Sequence, residues 1–159
     1  MPRKVSTASA VIDLDQLPGH YIRRMHQIAV AIFLQETEAH GVTPVQYAAL
    51  QAVANAPAMD QRTLAGTIGF DTSTIGGVVD RLEVRGLLTR NAKPGDRRVR
   101  LLTLTAEGLA LLRAIQPAML RAQERMLEPL PPRQRKEFMQ MLRALVDSNN
   151  ELSRAPSEA

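Results

Sequence analysis

Residues 71–86, Asp-Thr-Ser-Thr-Ile-Gly-Gly-Val-Val-Asp-Arg-Leu-Glu-Val-Arg-Gly, decide the fold of this chain. Asp71 is a favoured N-cap residue, and Gly86 is the residue type that commonly follows the C-terminus of a helix. The apolar residues between them recur at helical spacing: Ile75, Val78, Val79 and Leu82. The segment therefore predicts a short amphipathic helix with one buried face.

The other face of this predicted helix consists mostly of small or hydrogen-bonding residues: Thr72, Ser73, Thr74, Gly76, Gly77, Asp80 and Arg81. A recognition helix needs such a face, because its N-terminal end must approach base edges and phosphates in the major groove. Each glycine costs about 1 kcal/mol in a helix relative to alanine, so both need a reason to be there. We interpret this face as DNA-binding; the alternative for the glycines is tight packing against another helix.

A basic β-hairpin is predicted directly after this helix. Residues 87–90 and 99–105 favour two strands, and the turn formers at 91–96 separate them. Residues 81–100 hold seven Lys and Arg against two acids, an excess of five that exceeds the net charge of +4 of the whole chain. Clustered basic residues favour phosphate binding, and a hairpin beside a recognition helix can enter the adjacent minor groove.

In this hairpin we assign five residues to DNA binding: Arg90, Lys93, Asp96, Arg97 and Arg98. Arginine is favoured in a narrow minor groove by its negative potential. Asp96 is interpreted as an organiser, because an acid in a turn can hold neighbouring arginine stems or accept bonds from backbone N–H groups. The alternative is an ordinary charged turn.

Three helices are predicted before this segment. Pro18 can occupy the first turn of the first helix, whose apolar repeat continues to Gly41. Residues 43–46, Thr-Pro-Val-Gln, form a capping box that opens the second helix. Asp60 can cap a short third helix, which Gly69 ends.

Two helices are predicted after the hairpin. Thr105 can cap a long fifth helix, which Pro117 should bend, and prolines at 129, 131 and 132 precede the sixth. This order predicts a mainly α protein with a small β-hairpin wing, a winged helix-turn-helix with a helical dimerisation layer. The expected parts are a disordered tail (1–10), an N-terminal dimerisation helix (11–42), a DNA-binding region (43–104), C-terminal dimerisation helices (105–152) and a second tail (153–159).

Composition excludes several function classes. The chain has no cysteine, which removes disulfides, thiol catalysis, Cys-based zinc sites and cysteine redox sensing. Three scattered histidines show no metal spacing, and no Gly-rich phosphate loop or nucleophile motif occurs, so we expect no enzyme activity, metal or cofactor. The longest apolar run, 28–34, is too short to span a bilayer, and the N-terminus lacks the apolar region of a signal peptide. We therefore expect a cytoplasmic protein with no membrane partner.

Three stretches together resemble the MarR family of bacterial regulators: residues 72–88, the wing at 96–98, and 102–108, Leu-Thr-Leu-Thr-Ala-Glu-Gly. The Asp-Arg-Arg wing followed by a strand and Thr-x-x-Gly is specific to that family, and the helix order matches over 17–152. The resemblance implies homodimers on pseudo-palindromic promoter DNA, dimerisation through the terminal helices, and repression relieved by a small, aromatic or acidic ligand. The double glycine departs from the larger polar residues of many members.

The first, fifth and sixth predicted helices carry more apolar surface than a small winged core can cover. A two-fold bundle would bury that surface and place two recognition helices about 34–36 Å apart, one turn of DNA. The alternative is a monomer whose helices wrap the core. A non-specific architectural DNA-binding protein is the second functional hypothesis, and it predicts no preferred palindrome.

Four residues are candidates for the effector site: His20, Arg23, His26 and Tyr47. Arg23 could pair with a carboxylate, and His26 or Tyr47 could hydrogen-bond a phenol or the same acid. We expect a pocket between the dimer layer and the DNA-binding region. Core packing is the alternative for Tyr47, and a surface position is the alternative for each histidine.

Overall fold

The computed structural model describes residues 12–153, 155 and 156. Its helices are α1 (Pro18–Thr37), α2 (Pro44–Asn55), α3 (Gln61–Ile68), α4 (Thr72–Val84), α5 (Ala106–Leu127) and α6 (Pro132–Asn149). Its strands are β1 (Met59–Asp60), β2 (Leu88–Lys93) and β3 (Asp96–Leu104). The expected mainly α protein with a hairpin wing is confirmed. The expected tail at 1–10, and most of the one at 153–159, lie outside the described residues.

The predicted helix starts form as capped N-termini. Each cap side chain accepts a hydrogen bond from the backbone N–H three residues on: Thr43 from Gln46, Asp60 from Thr63, Asp71 from Thr74, and Thr105 from Gly108. The Gln46 side chain also accepts from the Thr43 N–H, which completes the predicted capping box. Each such cap contributes about 0.5–2 kcal/mol, and together they fix where four helices begin.

The hairpin differs from its predicted bounds. We expected a six-residue turn at 91–96, but the strands pair as far as Lys93 and Asp96, so only Pro94 and Gly95 form the turn. Gly95 has φ +83°, which a type II turn with proline at its second position requires. The unpredicted strand β1 pairs antiparallel with β3 through Met59 and Leu102, giving the sheet order β1-β3-β2.

Two helices also differ in detail from their predictions. Helix α1 ends at Thr37, and a 3-10 turn, Glu38–His40, carries the chain to Gly41, which the sequence had indicated as the stop. Helix α5 continues through Pro117 without a break. None of the helices in the described part of the chain combines the length and the apolar character needed to cross a bilayer.

One hydrophobic core holds the winged region together. Its fully buried large side chains come from α2, α3, α4, α5 and the sheet: Leu50, Leu64, Ile75, Leu82, Leu88, Leu102 and Ile115. Helix α1 reaches this core through Phe33, and its Glu36 forms ion pairs with Arg121 and Arg125 of α5 at 3.2 and 3.3 Å. All of α6 is described, and none of its residues is buried.

Candidate nucleic-acid interface

The N-terminus of α4 is organised by the carboxylate of Asp71. It accepts hydrogen bonds from the Ser73 hydroxyl at 2.6 Å, the Thr74 hydroxyl at 2.7 Å and the Thr74 N–H at 2.8 Å. These donors, led by the Ser73 hydroxyl, hold the pKa of the Asp71 carboxyl far below its usual range. Both hydroxyl protons are therefore used in bonds to Asp71. Ser73 and Thr74, which we predicted to face DNA, can act toward a ligand only as acceptors, through their hydroxyl oxygens.

The two glycines of α4 have different neighbours. A Cβ built on Gly76 would lie 3.2 Å from Nε2 of Gln61, which belongs to α3. A Cβ on Gly77 would meet only the Arg81 guanidinium, at an ordinary contact distance of 3.4 Å. Packing against a neighbouring helix thus accounts for Gly76, whereas nothing in the described structure requires a glycine at 77.

Gly77→Ala tests whether a glycine at this position lets α4 approach DNA closely. Alanine fits the free protein and favours the helix, so we expect the free energy of unfolding to rise by up to about 1 kcal/mol. We expect the affinity for a selected operator duplex to fall about tenfold or more, the size of a lost base contact. Thermal denaturation and fluorescence anisotropy measure the two effects. An unchanged operator affinity would remove Gly77 from the interface.

Arg90 ties the wing to α4. Its guanidinium contacts Glu83 at 2.6 Å and 2.9 Å and Asp80 at 2.7 Å. The hydrogen bond from Arg90 holds the pKa of Glu83 below its usual range. Strand β2 is therefore fixed beside the C-terminal half of α4. Direct DNA contacts by Asp80 and Arg90 stay predictions, and the ion pairs give both residues a positioning role.

The wing tip carries exposed basic side chains. Lys93, Arg97 and Arg98 are all exposed, and within the described ranges no acid lies in ion-pair distance of any of them. Asp96 accepts a hydrogen bond from the Arg98 N–H at 3.0 Å, so its carboxylate shapes the turn through the backbone. The tip therefore carries positive charge without an ion-pair partner in the described chain, and such clustered charge favours the binding of a polyanion.

The predicted effector residues do not meet within one chain. His20, Arg23 and His26 lie along the first half of α1, where Arg23 donates to the Gln27 amide at 3.2 Å. Tyr47 packs against Phe33 at a ring distance of 5.9 Å, about 10 Å further along α1 than His26. Burial raises the pKa of Tyr47. The structure therefore separates Tyr47 from the other three.

An open groove of about 480 Å³ lies elsewhere, at the C-terminal end of α1. It is lined by Leu34, Gln35, Thr37, Glu38, Gly41, Val42 and Thr43. None of the four predicted effector residues belongs to it. The groove and the predicted effector residues are thus two separate places on the chain.

Sequence reasoning missed two residues that position α4. Gln61, the first residue of α3, donates to the Thr72 carbonyl at 3.4 Å. Arg85, which follows α4, donates to the Gly41 carbonyl at 2.8 Å and so links α4 to the chain after α1. Neither contact has a local sequence pattern, because the partners lie 11 and 44 residues away.

Comparison with known proteins places this geometry among DNA-binding regulators. The model of the MarR family matches residues 42–99. The HTH-type transcriptional repressor NicR of Pseudomonas putida is 31% identical over 94% of this chain and 98% of its own length. Family and fold, both expected from the sequence, are confirmed.

Two solved regulators have the same architecture. BpsR of Bordetella bronchiseptica, whose DNA binding is regulated by 6-hydroxynicotinic acid, superposes with a TM-score of 0.82 at 31% identity, over 86% of this chain and 98% of BpsR. CouR bound to a 23-mer DNA duplex superposes with a TM-score of 0.80 at 29% identity, over 84% of this chain and 94% of CouR. CouR from Rhodococcus jostii RHA1 is also known bound to p-coumaroyl-CoA, with a TM-score of 0.74 at 28% identity, over 85% and 95%.

Proposed function

Since this chain belongs to the MarR family of transcriptional regulators, we propose that it is a homodimeric repressor of a pseudo-palindromic promoter, relieved by a small aromatic or acidic ligand. One observation carries the DNA-binding part. The exposed polar face of α4 lies beside a wing whose tip residues, Lys93, Arg97 and Arg98, are exposed and form no ion pair within the described residues. Sequence-specific binding needs a helix that enters the major groove and cations that contact the adjacent backbone or minor groove.

The dimer is supported by apolar surface that the chain leaves uncovered. Large exposed hydrophobic side chains concentrate in the terminal segments: Leu14, Leu17, Tyr21, Ile22 and Ile28 before the core, and Met139, Met141, Leu145, Val146 and Leu152 after it. None of the residues of helix α6 is buried within its own chain. Exposed apolar side chains in this number are typical of an interface, and a two-fold partner would cover both segments.

Two measurements test the dimer and the operator. Light scattering after gel filtration should give twice the 17.5 kDa of one chain. Footprinting of DNA recovered by selection from a random duplex library should show two protected half-sites about 34–36 Å apart. A monomer mass contradicts the dimer. Binding without a preferred palindrome would favour the architectural alternative.

The effector proposal rests on Arg23 and on the relatives. NicR is a repressor by name, and BpsR and CouR are associated with 6-hydroxynicotinic acid and p-coumaroyl-CoA respectively. Within the described residues, the exposed guanidinium of Arg23 is held by one neutral amide, so it is able to pair with a carboxylate. We propose that Arg23, with His20 and His26, binds the acid group. Tyr47 packs against Phe33, about 10 Å further along α1, and so lies too far away to join them within the same chain.

Arg23→Ala should blunt the response to an aromatic acid. A bound acid at 100 times its Kd stabilises wild type by about 2.7 kcal/mol, which raises Tm by roughly 5–10 °C. We expect this shift to disappear in the variant while operator affinity without ligand is unchanged. The screen uses 6-hydroxynicotinic acid, other aromatic acids and p-coumaroyl-CoA.

Arg24→Ala is the matched control, because Arg24 is also exposed and adjacent on α1. The control should keep the wild-type shift. By reciprocal linkage, an acid that stabilises the wild-type protein must also weaken operator binding if it is an inducer. An unimpaired ligand response in Arg23→Ala would contradict the assignment of Arg23 to the effector site.

A further inference from the structure

Gln61 places a carboxamide against the recognition helix. Its Nε2 donates to the carbonyl of Thr72, the first residue of α4, at 3.4 Å. The same nitrogen lies 3.2 Å from where a Cβ of residue 76 would stand. The carboxamide therefore lies along the first turn of α4, between Thr72 and Gly76.

The position of Gln61 follows from the fixed start of α3. Asp60 caps α3 by accepting from the Thr63 N–H at 2.7 Å, and that bond lowers the pKa of its carboxyl. The cap holds Gln61 at the first helical position, next to the N-terminus of α4. Gly76 then leaves the room that the amide occupies, at a cost of about 1 kcal/mol in helix propensity.

The bond to Thr72 is too weak to be the whole reason for this arrangement. A donor–acceptor distance of 3.4 Å lies beyond the usual 2.7–3.2 Å range for such bonds. Within the described residues, the Oε1 atom of Gln61 receives no hydrogen bond, and Nε2 has a second hydrogen to donate. Both groups lie beside Thr72 and Gly76, on the face of α4 that we assign to DNA.

We propose that Gln61 is a base-reading residue that α3 contributes to the interface, an inference that rests on the proposed function. A glutamine carboxamide offers one acceptor and one donor side by side, which matches N6 and N7 of adenine in the major groove. The contact to α4 pre-orients the amide, so little side-chain entropy is lost on binding. Gly76 serves DNA recognition indirectly, by making room for Gln61.

The test is selection of binding sites from a randomised duplex library. Wild type should yield a two-fold motif. Gln61→Ala, and Gln61→Met, which keeps the length of the side chain, should yield the same motif without the adenine preference at one base pair of each half-site. Discrimination at that position should fall about tenfold or more. All other positions should keep their preferences.

Gly76→Ala perturbs the same amide from the other side. Its Cβ would push the flexible end of Gln61 away, so the variant should lose preference at the same base pair while its Tm does not fall. A variant that merely loosened the fold would lower Tm and weaken every position alike. Gln123→Ala, an exposed glutamine of α5, is the control and should reproduce the wild-type motif.

The possible outcomes separate the two proposals. If wild type yields a motif and both Gln61 variants yield the identical one, Gln61 does not read a base and the inference is overturned alone. A uniform loss of affinity over all positions overturns it as well. If wild type selects no motif, the proposed repressor function fails, and the inference fails with it.

Discussion

An Arg97→Ala/Arg98→Ala double variant is expected to lose about 100-fold in affinity for operator DNA. Both guanidinium groups are exposed at the wing and have no acidic partner in the part of the chain that the structure describes. Each cation that contacts DNA contributes about 1–3 kcal/mol, and a dimer would lose four of them. The estimate is below the sum, because neighbouring contacts do not add fully.

The salt dependence identifies the cause of this loss. The slope of log K against log salt is negative, and each lost phosphate contact reduces its magnitude by about 0.9, so four lost contacts reduce it by about 3.6. Fluorescence anisotropy on the selected operator, over a series of salt concentrations, measures both affinity and slope. The dimer mass should stay unchanged, because none of the exposed large hydrophobic residues of the described chain lies in β2 or β3.

Arg133→Ala controls for the loss of a surface arginine outside the wing, since Arg133 is exposed at the start of α6. This variant should bind the operator as wild type does. If the double variant keeps wild-type affinity and slope, the wing takes no part in DNA binding. A smaller slope with unaltered affinity at low salt would instead restrict the wing to weak, long-range attraction.

Local chemistry explains which parts of the fold the sequence predicts. Helix starts at Thr43, Asp60, Asp71 and Thr105 depend on a side chain and an N–H three residues apart, so a short window contains the whole interaction. The apolar face of α4 follows from its periodicity in the same way. These signals are enough to order the helices and to place the hairpin after the fourth.

The wing shows where local signals fail. Residues 91–93 belong to a stretch, 91–96, that is rich in turn formers, yet they pair with β3, because cross-strand hydrogen bonds override weak local propensity. Strand β1 has only two residues and owes its strand geometry to pairing with Leu101 and Leu102. No periodicity can be read from two residues, so this strand could not be predicted.

The candidate site is predictable in type and less so in arrangement. Basic and small residues indicate a DNA-binding face, but the ion pairs of Arg90 with Asp80 and Glu83 depend on how β2 packs beside α4. The contact between Gln61 and Gly76 likewise depends on how α3 crosses α4. Residue type alone does not tell whether such a residue contacts DNA or positions another residue; the contacts in the structure do.

Gly108 lies where the first turn of α5 meets the start of the wing. Its N–H donates to the Thr105 hydroxyl oxygen at 3.0 Å, and that hydroxyl donates to the Gly86 carbonyl at 2.6 Å. The Thr105 N–H donates to the Leu87 carbonyl at 3.2 Å. These bonds fix two backbone segments so close together that a Cβ on Gly108 would overlap the Leu87 carbonyl oxygen.

Gly108→Ala is therefore expected to destabilise the fold by about 2 kcal/mol or more, although alanine favours a helix by about 1 kcal/mol. The overlapping atom is backbone, so relief requires breaking the bonds that join α5 to the wing. Thermal denaturation should show a Tm lower by roughly 4–8 °C or more. Gly19→Ala in α1, where a Cβ would have no neighbour within 4 Å, should leave Tm unchanged or slightly raised. Equal Tm values for the two variants would mean that α5 does not approach the wing as closely as Gly108 requires.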